Sequence, residues 1–294
     1  MNQAQTLLDI EKFMSSICRR DYHWEDFAPD YDQWLDDARA IYDEELEYSP
    51  LIQAYFDLMP ERIDWEDQDI FEDDQAFRSF QRHLKYQQQD FIEDLANQSD
   101  DYHNRLDDYF ASLVDRHRKL LLVRVDLSYR FERSPCIQQF GNNIRKLLSR
   151  IQNKDTIFKD QVGYAYRLEQ GGKSKGYHCH LLVIYNGSER CRDAYLGQSI
   201  GELWQDKITQ GNGLFYNCNQ KEHRRYFQSE GTWGLGLVER RHKTAINNAY
   251  HTIHYLTRHK PDQYLRVKLN SRMRVFRTGQ IKHNARPRSS IIRD

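Results

Sequence analysis

The sequence predicts an α+β protein, a mostly antiparallel sheet with helices on one face, preceded by an acidic all-α N-terminal region. Two observations lead to this prediction. Residues 1–110 carry 29 Asp and Glu against 9 Lys and Arg, whereas the remaining residues carry 15 acidic and 34 basic side chains. The apolar pattern also changes near His117, from helical stripes to short β-branched runs. We therefore divide the chain into an acidic helical region (1–115), a sheet domain (116–285) and a basic tail (286–294).

Helical periodicity covers most of the acidic half. Apolar residues recur at helical spacing in four segments. These segments lie at about residues 2–18, 31–48, 74–97 and 102–116.

The basic half predicts alternating strands and helices. The strands lie at about 119–130, 161–170, 177–185, 214–219 and 233–240. The helices lie at about 136–152, 193–208 and 244–259, and a last strand or hairpin covers 267–277. The glycine-rich segment 171–176 reads as a hairpin turn, so the two strands beside it should pair antiparallel.

The composition argues against several classes of protein. Hydrophobic residues make up 39% of the chain, which is enough for a core and makes full-length disorder a poor interpretation. No apolar run approaches the roughly 20 residues of a membrane helix, and residues 1–20 lack a secretory signal. The five cysteines are scattered without a C-x-x-C pair, so a disulfide framework is not expected. We expect a cytoplasmic protein with no membrane partner.

The sharpest chemical feature is the pair of histidines at His178 and His180. Side chains at positions i and i+2 of a strand point to the same face, so two imidazoles there can chelate one divalent cation. If Gln170 pairs with Tyr177 across the turn, Glu169 lies opposite His178. An ordinary role as hydrogen-bonding strand residues is the alternative for the two histidines.

Two carboxylates are candidate ligands beside the histidines. Glu169 is the first, and Asp126, in the strand at 119–130, is the second because it could reach the same face. The alternatives are a surface salt bridge from Glu169 to Lys173 or Lys175 and a strand-end cap by Asp126.

The helix at 244–259 carries a second set of polar side chains. Tyr255, Arg258, His251 and His259 share one side of this helix, away from its apolar stripe. A tyrosine beside a metal can attack a phosphodiester, because the metal neutralises charge that develops on the phosphate. Arg258 could bind that phosphate through its forked guanidinium. In a chain with 19 tyrosines, a structural role for Tyr255 is the alternative.

Taken together, these residues resemble the HUH endonucleases, and most closely the gene-two replication proteins of filamentous phages (inoviruses) and the YagK/YfjJ C-terminal domain of prophages. The resemblance rests on LLLVRVDLSYR, YRLEQGGKSKGYHCHLLVIYNGS and YLTRHKPDQY, and it covers about residues 118–280. It implies nicking of one DNA strand at an origin, a 5′-phosphotyrosine intermediate and rolling-circle replication. By position, His178 and His180 match the metal histidines and Tyr255 matches the nucleophile, whereas Arg258 stands where lysine is usual. The implied cofactor is a divalent cation, Mn²⁺ or Mg²⁺, and imidazole ligands favour Mn²⁺.

The positive charge of the second half indicates a nucleic-acid partner, because cations bind phosphates and aromatic rings stack on bases. We expect single-stranded DNA or an origin hairpin to contact Lys173, Lys175, Arg240, Arg241, Lys243, Lys260 and Arg274.

Two other interpretations of the chain stay open. It could be a non-catalytic DNA-binding regulator or a decayed replication initiator of prophage origin. The acidic region could compete with DNA for the basic side chains, or it could bind host replication proteins.

Overall fold

The computed structural model of the chain describes residues 2–64, 70–171, 176–258 and 260–280. Its N-terminal part is largely helical. The helices are α1 (Gln3–Ile17), α2 (Phe27–Asp32), α3 (Leu35–Ile41), α4 (Pro50–Asp57), α5 (Met59–Asp64) and α6 (Asp74–Arg116). A two-residue strand, β1 (Glu47–Tyr48), interrupts this series, so the expectation of an all-α region is confirmed only in part.

Helix α6 merges the predicted helices at 74–97 and 102–116 into one helix of 43 residues, about 64 Å long. The side chain of Asp73 caps it by accepting a hydrogen bond from the Ala76 amide at 2.7 Å. Phe77, near its beginning, packs among the N-terminal helices, whereas Leu106 and Phe110, near its end, pack on the sheet. The helix therefore connects the two halves of the chain. Within the described ranges, no helix is both long enough and apolar enough to cross a membrane.

The strands of the basic half are β2 (Lys119–Tyr129), β3 (Gln161–Gln170), β4 (Tyr177–Asn186), β5 (Gly213–Asn217), β6 (Gly236–Glu239), β7 (Val267–Lys268) and β8 (Phe276–Thr278). Six of them form one antiparallel sheet, in which β5, β2, β4, β3 and β8 lie side by side and β6 pairs with β2 next to β5. The short strand β7 pairs separately with β1.

Helices cover both faces of this sheet, so the prediction of helices on one face was wrong. The α-helices of the basic half are α7 (Ile137–Gln152), α8 (Asp193–Glu202), α9 (Lys221–Ser229) and α10 (Lys243–Ile253). Leu121 and Val123 of β2 pack in one hydrophobic cluster with α1, α4, α7 and α8, and the alternating Leu120 and Leu122 pack against α6 and α10. The reason is the continuous apolar run in β2, because consecutive apolar residues on a strand require cover on both sides.

Strand register brings the polar side chains to one end of the sheet. Gln170 pairs with Tyr177 and Glu169 with His178, as the hairpin prediction required. On the other side of β4, His180 pairs with Asp126 of β2. Because alternate residues share a face, these carboxylates and imidazoles lie together on the face that α6 and α10 cover.

Candidate active site

The carboxylate of Glu169 is the centre of the site, and its side chain is fully buried. Its Oε2 atom lies 3.2 Å from Nε2 of His178 and 3.1 Å from Nε2 of His180. Lys260 donates a hydrogen bond to the same oxygen at 3.1 Å. Nε of Arg167 lies 3.1 Å from the other oxygen, Oε1. Two imidazoles and two cations therefore converge on one buried carboxylate.

These contacts determine the charge of Glu169. Burial favours the neutral acid, but hydrogen bonds from His178 and His180 and the charge of Lys260 outweigh it and hold the pKa of Glu169 well below its usual range. The carboxylate is therefore ionised at neutral pH, which is the form that binds a cation.

Asp126 lies behind His180. One of its oxygens is 2.8 Å from Nδ1 of His180, and Arg124 donates hydrogen bonds to both oxygens at 3.0 and 2.9 Å. Burial raises the pKa of Asp126, but the charge of Arg124 and the contact with His180 lower it below its usual range. A carboxylate on one imidazole nitrogen commonly orients the other nitrogen toward a metal. Asp126 is therefore placed to orient the imidazole of His180, and its role as a metal ligand stays a prediction.

Three side chains have the arrangement of a metal site. One ligand atom each from Glu169, His178 and His180 lie within 4.8 Å of one another. Nδ1 of His178 faces the carbonyl of Gly176 at 3.4 Å, which turns its Nε2 toward Glu169. Two imidazole nitrogens and one carboxylate oxygen suit Mn²⁺ better than Mg²⁺, which prefers an all-oxygen shell. A cation on Oε2 would compete with the ammonium group of Lys260.

Tyr255 adjoins this cluster from the turn that follows α10. Its ring packs edge-on against His180, with ring centroids 5.1 Å apart. Lys260 donates a hydrogen bond to Oη of Tyr255 at 3.2 Å, and the guanidinium of Arg124 stacks 3.8 Å from the centre of the tyrosine ring. The Tyr255 hydroxyl and the Glu169 carboxylate thus contact the same ammonium group.

A cavity of about 440 Å³ opens beside Tyr255. Asp126 and Arg258 line part of it, and Arg258 is exposed to solvent. The lining also includes four further aromatic side chains, Tyr216, His223, Phe227 and Trp233. Two of these side chains come from α9, a helix that the sequence prediction missed. The sequence pattern that could have indicated α9 is the spacing of His223 and Phe227, which are four residues apart and so share one helical face.

The segment after Lys260 is tied to the end of β3 by a buried arginine. Arg266 lies 2.5 Å from the carboxylate of Glu11 on α1, and it donates hydrogen bonds to the carbonyls of Gln170 and Asp262 at 3.2 and 3.3 Å. The acidic N-terminal region therefore helps to hold Lys260 in place.

The structure places two of the predicted basic residues at or beside the site and adds two that were not predicted. Lys260, predicted as a DNA contact, lies within the site, whereas Arg258 reaches the adjoining cavity. Arg124 and Arg167 were not predicted at all. The sequence pattern could have indicated them, because each arginine precedes an acid, Asp126 or Glu169, by two positions and therefore lies on the same face of its strand.

Three other predicted DNA contacts, Lys243, Arg240 and Arg241, lie away from this cluster. Lys243 begins α10, about 18 Å of helix away from Tyr255. Arg240 donates to the carbonyl of Asp115 at 2.8 Å, and Arg241 pairs with Glu239 at 2.9 Å. Arg274 is exposed just before β8. Lys173, Lys175, His259 and the basic tail 286–294 lie outside the described residues.

Comparisons of the chain with models of known families, with curated proteins and with solved structures found no match. The resemblance to filamentous-phage replication proteins therefore stays an expectation.

Proposed function

We propose that this protein is a metal-dependent enzyme that nicks and rejoins single-stranded DNA through a phosphotyrosine at Tyr255, as a rolling-circle replication initiator does. The observation that carries the proposal is the shared contact of Lys260. Its ammonium lies 3.2 Å from the Tyr255 hydroxyl and 3.1 Å from a carboxylate that two histidines also contact. The candidate nucleophile lines the cavity and shares one ammonium group with the candidate metal ligands.

Each side chain has a defined part in this reaction. Tyr255 loses its hydroxyl proton to solvent, its Oη bonds to phosphorus, the bond between phosphorus and the 3′-oxygen breaks, and that oxygen takes up a proton from solvent. Lys260 stabilises the phenolate as its charge develops. Glu169, His178 and His180 would hold the divalent cation, which supplies Lewis-acid stabilisation of the phosphate. The reverse reaction with a free 3′-hydroxyl rejoins the strand.

The cavity supplies features that a single strand requires. Phe227, Trp233 and Tyr216 offer ring faces on which unpaired bases can stack. Arg258 is exposed at the same cavity and offers a guanidinium for the phosphate. The substrate class that fits best is therefore single-stranded DNA near the nick.

A second candidate function is non-catalytic DNA binding. The ammonium of Lys260 already neutralises Glu169, so the cluster is electrostatically satisfied without a metal ion. A regulator or decayed initiator would bind oligonucleotides and form no covalent adduct.

Covalent attachment to DNA separates these candidates. The full chain is incubated with Mn²⁺ and a random pool of single-stranded oligonucleotides labelled at the 3′ end, because the 3′-labelled fragment is the one that stays on tyrosine. Denaturing electrophoresis should show labelled protein, and EDTA should prevent it.

Two tyrosine variants provide the matched comparison. Tyr255→Phe should abolish the adduct, whereas Tyr250→Phe should retain it because the Tyr250 ring packs edge-on against Phe110. Binding without any adduct would favour the regulator, and an adduct that persists in Tyr255→Phe would refute the assigned nucleophile.

A further inference from the structure

A second group of metal-ligating side chains lies outside the candidate active site. His103 and Asp107 lie four residues apart on α6, and His254 begins the turn that carries Tyr255. One ligand atom from each of the three lies within 4.8 Å of the others. Three side chains from two distant parts of the chain therefore converge on one point.

The three side chains approach one another through atoms that can bind a metal, namely imidazole nitrogens and carboxylate oxygens. Nε2 of His254 lies 2.6 Å from one oxygen of Asp107, and Nε2 of His103 lies 3.7 Å from the other. The centroids of the two imidazole rings are 3.8 Å apart. Both Nε2 atoms therefore border the Asp107 carboxylate.

A buried threonine determines which nitrogen of His103 is free. The hydroxyl of Thr257 donates its hydrogen bond to the carbonyl of His254 at 3.1 Å, so its oxygen is left to accept. Nδ1 of His103 lies 3.3 Å from that oxygen, and we infer that it carries the proton and donates to it. The lone pair of His103 is then on Nε2, the atom that faces Asp107. Such a partner on the far nitrogen is the usual support of a metal-ligating histidine.

We propose that His103, Asp107 and His254 bind a transition-metal ion of the Zn²⁺ class. Two imidazole nitrogens and one carboxylate oxygen form a typical Zn²⁺ ligand set, and a water molecule can complete a tetrahedron. The side chains are 41%, 37% and 25% exposed, so the ion reaches them from solvent.

The site has a mechanical consequence, because its ligands belong to two elements. His103 and Asp107 are on α6, and His254 directly precedes Tyr255. A bound ion cross-links α6 to the turn that carries Tyr255. Because the ion binds the folded chain and not the unfolded chain, it raises the melting temperature. This proposal is independent of DNA cleavage, since it requires neither Tyr255 nor Glu169.

The test measures Zn²⁺ stoichiometry by competition with a chromophoric chelator, on full-length protein without an affinity tag. A chain with His178→Ala and His180→Ala separates the two clusters and should retain one equivalent of Zn²⁺. Adding His103→Ala should weaken that equivalent at least about tenfold. Adding His83→Ala in place of His103→Ala changes an exposed histidine elsewhere on α6 and should leave the affinity for Zn²⁺ unchanged.

A second variant guards against loss of folding. Asp107→Asn keeps the shape of the side chain and, in the otherwise unchanged protein, should remove one equivalent of Zn²⁺ and its increment in melting temperature. The proposal is overturned if the chain that lacks His178 and His180 binds no Zn²⁺, or if Zn²⁺ binding is the same with and without His103 and the Asp107 carboxylate.

Discussion

Lys260, and not Arg258, contacts both Tyr255 and Glu169. Its ammonium contacts the Tyr255 hydroxyl and the Glu169 carboxylate, and it lies 4.3 Å from the centre of the tyrosine ring. The position could not be predicted, because Lys260 and Glu169 are 91 residues apart and meet only through the tertiary fold. Glu169 and His178 could be predicted, because a glycine-rich turn fixes the register of two adjacent strands.

Replacing Lys260 should therefore damage the reaction more than replacing Arg258. We expect Lys260→Met to lower the rate of adduct formation by about 100-fold, the typical cost of removing one charge-stabilising donor. Arg258→Met should mainly raise the oligonucleotide concentration that the reaction requires, since Arg258 is exposed at the cavity. Rates measured over a series of oligonucleotide concentrations distinguish the two effects. Equal rates for the Lys260→Met variant and the unchanged protein would remove Lys260 from the mechanism.

Asp126 and His180 should differ in their effect on metal binding. His180→Ala removes a proposed ligand and should abolish Mn²⁺ binding at the Glu169 cluster. Asp126→Asn removes only the charge behind the imidazole, so we expect affinity to fall about 10- to 100-fold. Titration of free Mn²⁺ by electron paramagnetic resonance measures both, with His83→Ala as the control. If Asp126→Asn abolished binding as fully as His180→Ala, Asp126 would be a ligand after all.

At the scale of elements, α6 and α10 pack against each other and cover the face of the sheet that carries Glu169 and the two histidines. Phe110 of α6 is fully buried and meets the ring of Tyr250 of α10 edge-on, with centroids 5.0 Å apart. The sequence predicted two helices, at 74–97 and 102–116, where the structure has the single helix α6. The reason is that residues 97–102 carry little apolar periodicity. The sequence also could not predict which helix covers which face, because both faces of the central strands are apolar.

Truncating Phe110 should destabilise the protein. We expect Phe110→Ala to lower the free energy of unfolding by about 3–5 kcal/mol, because it removes a buried aromatic ring and leaves a cavity. Tyr86→Ala, on the same helix but 67% exposed, should change it by less than about 0.5 kcal/mol. Urea denaturation followed by circular dichroism compares the two. Similar midpoints for both variants would mean that the end of α6 contributes little to the stability of the sheet.

At the scale of the whole molecule, the acidic and basic halves are joined by packing as well as by charge. Apolar side chains of α1 and α4 share a hydrophobic cluster with the sheet, and Glu11 and Glu47 pair with Arg266 and Lys268. Removing residues 1–110 would therefore strip apolar residues from both clusters, and it would not isolate the effect of charge. A test of the acidic region has to change charge alone.

Neutralising exposed acids provides that test. Asp36, Asp37, Glu44 and Glu45 are all exposed, so replacing them with Asn and Gln should preserve the fold. If the acidic region competes with DNA for the basic side chains, the variant binds single-stranded oligonucleotide several-fold more tightly at low salt. The gain should shrink as salt rises, because the Debye length falls from about 30 Å at 0.01 M to about 8 Å at 0.15 M. Fluorescence anisotropy over a salt series measures it. Identical affinity at every salt concentration would refute the competition and leave partner binding as the role of the acidic region.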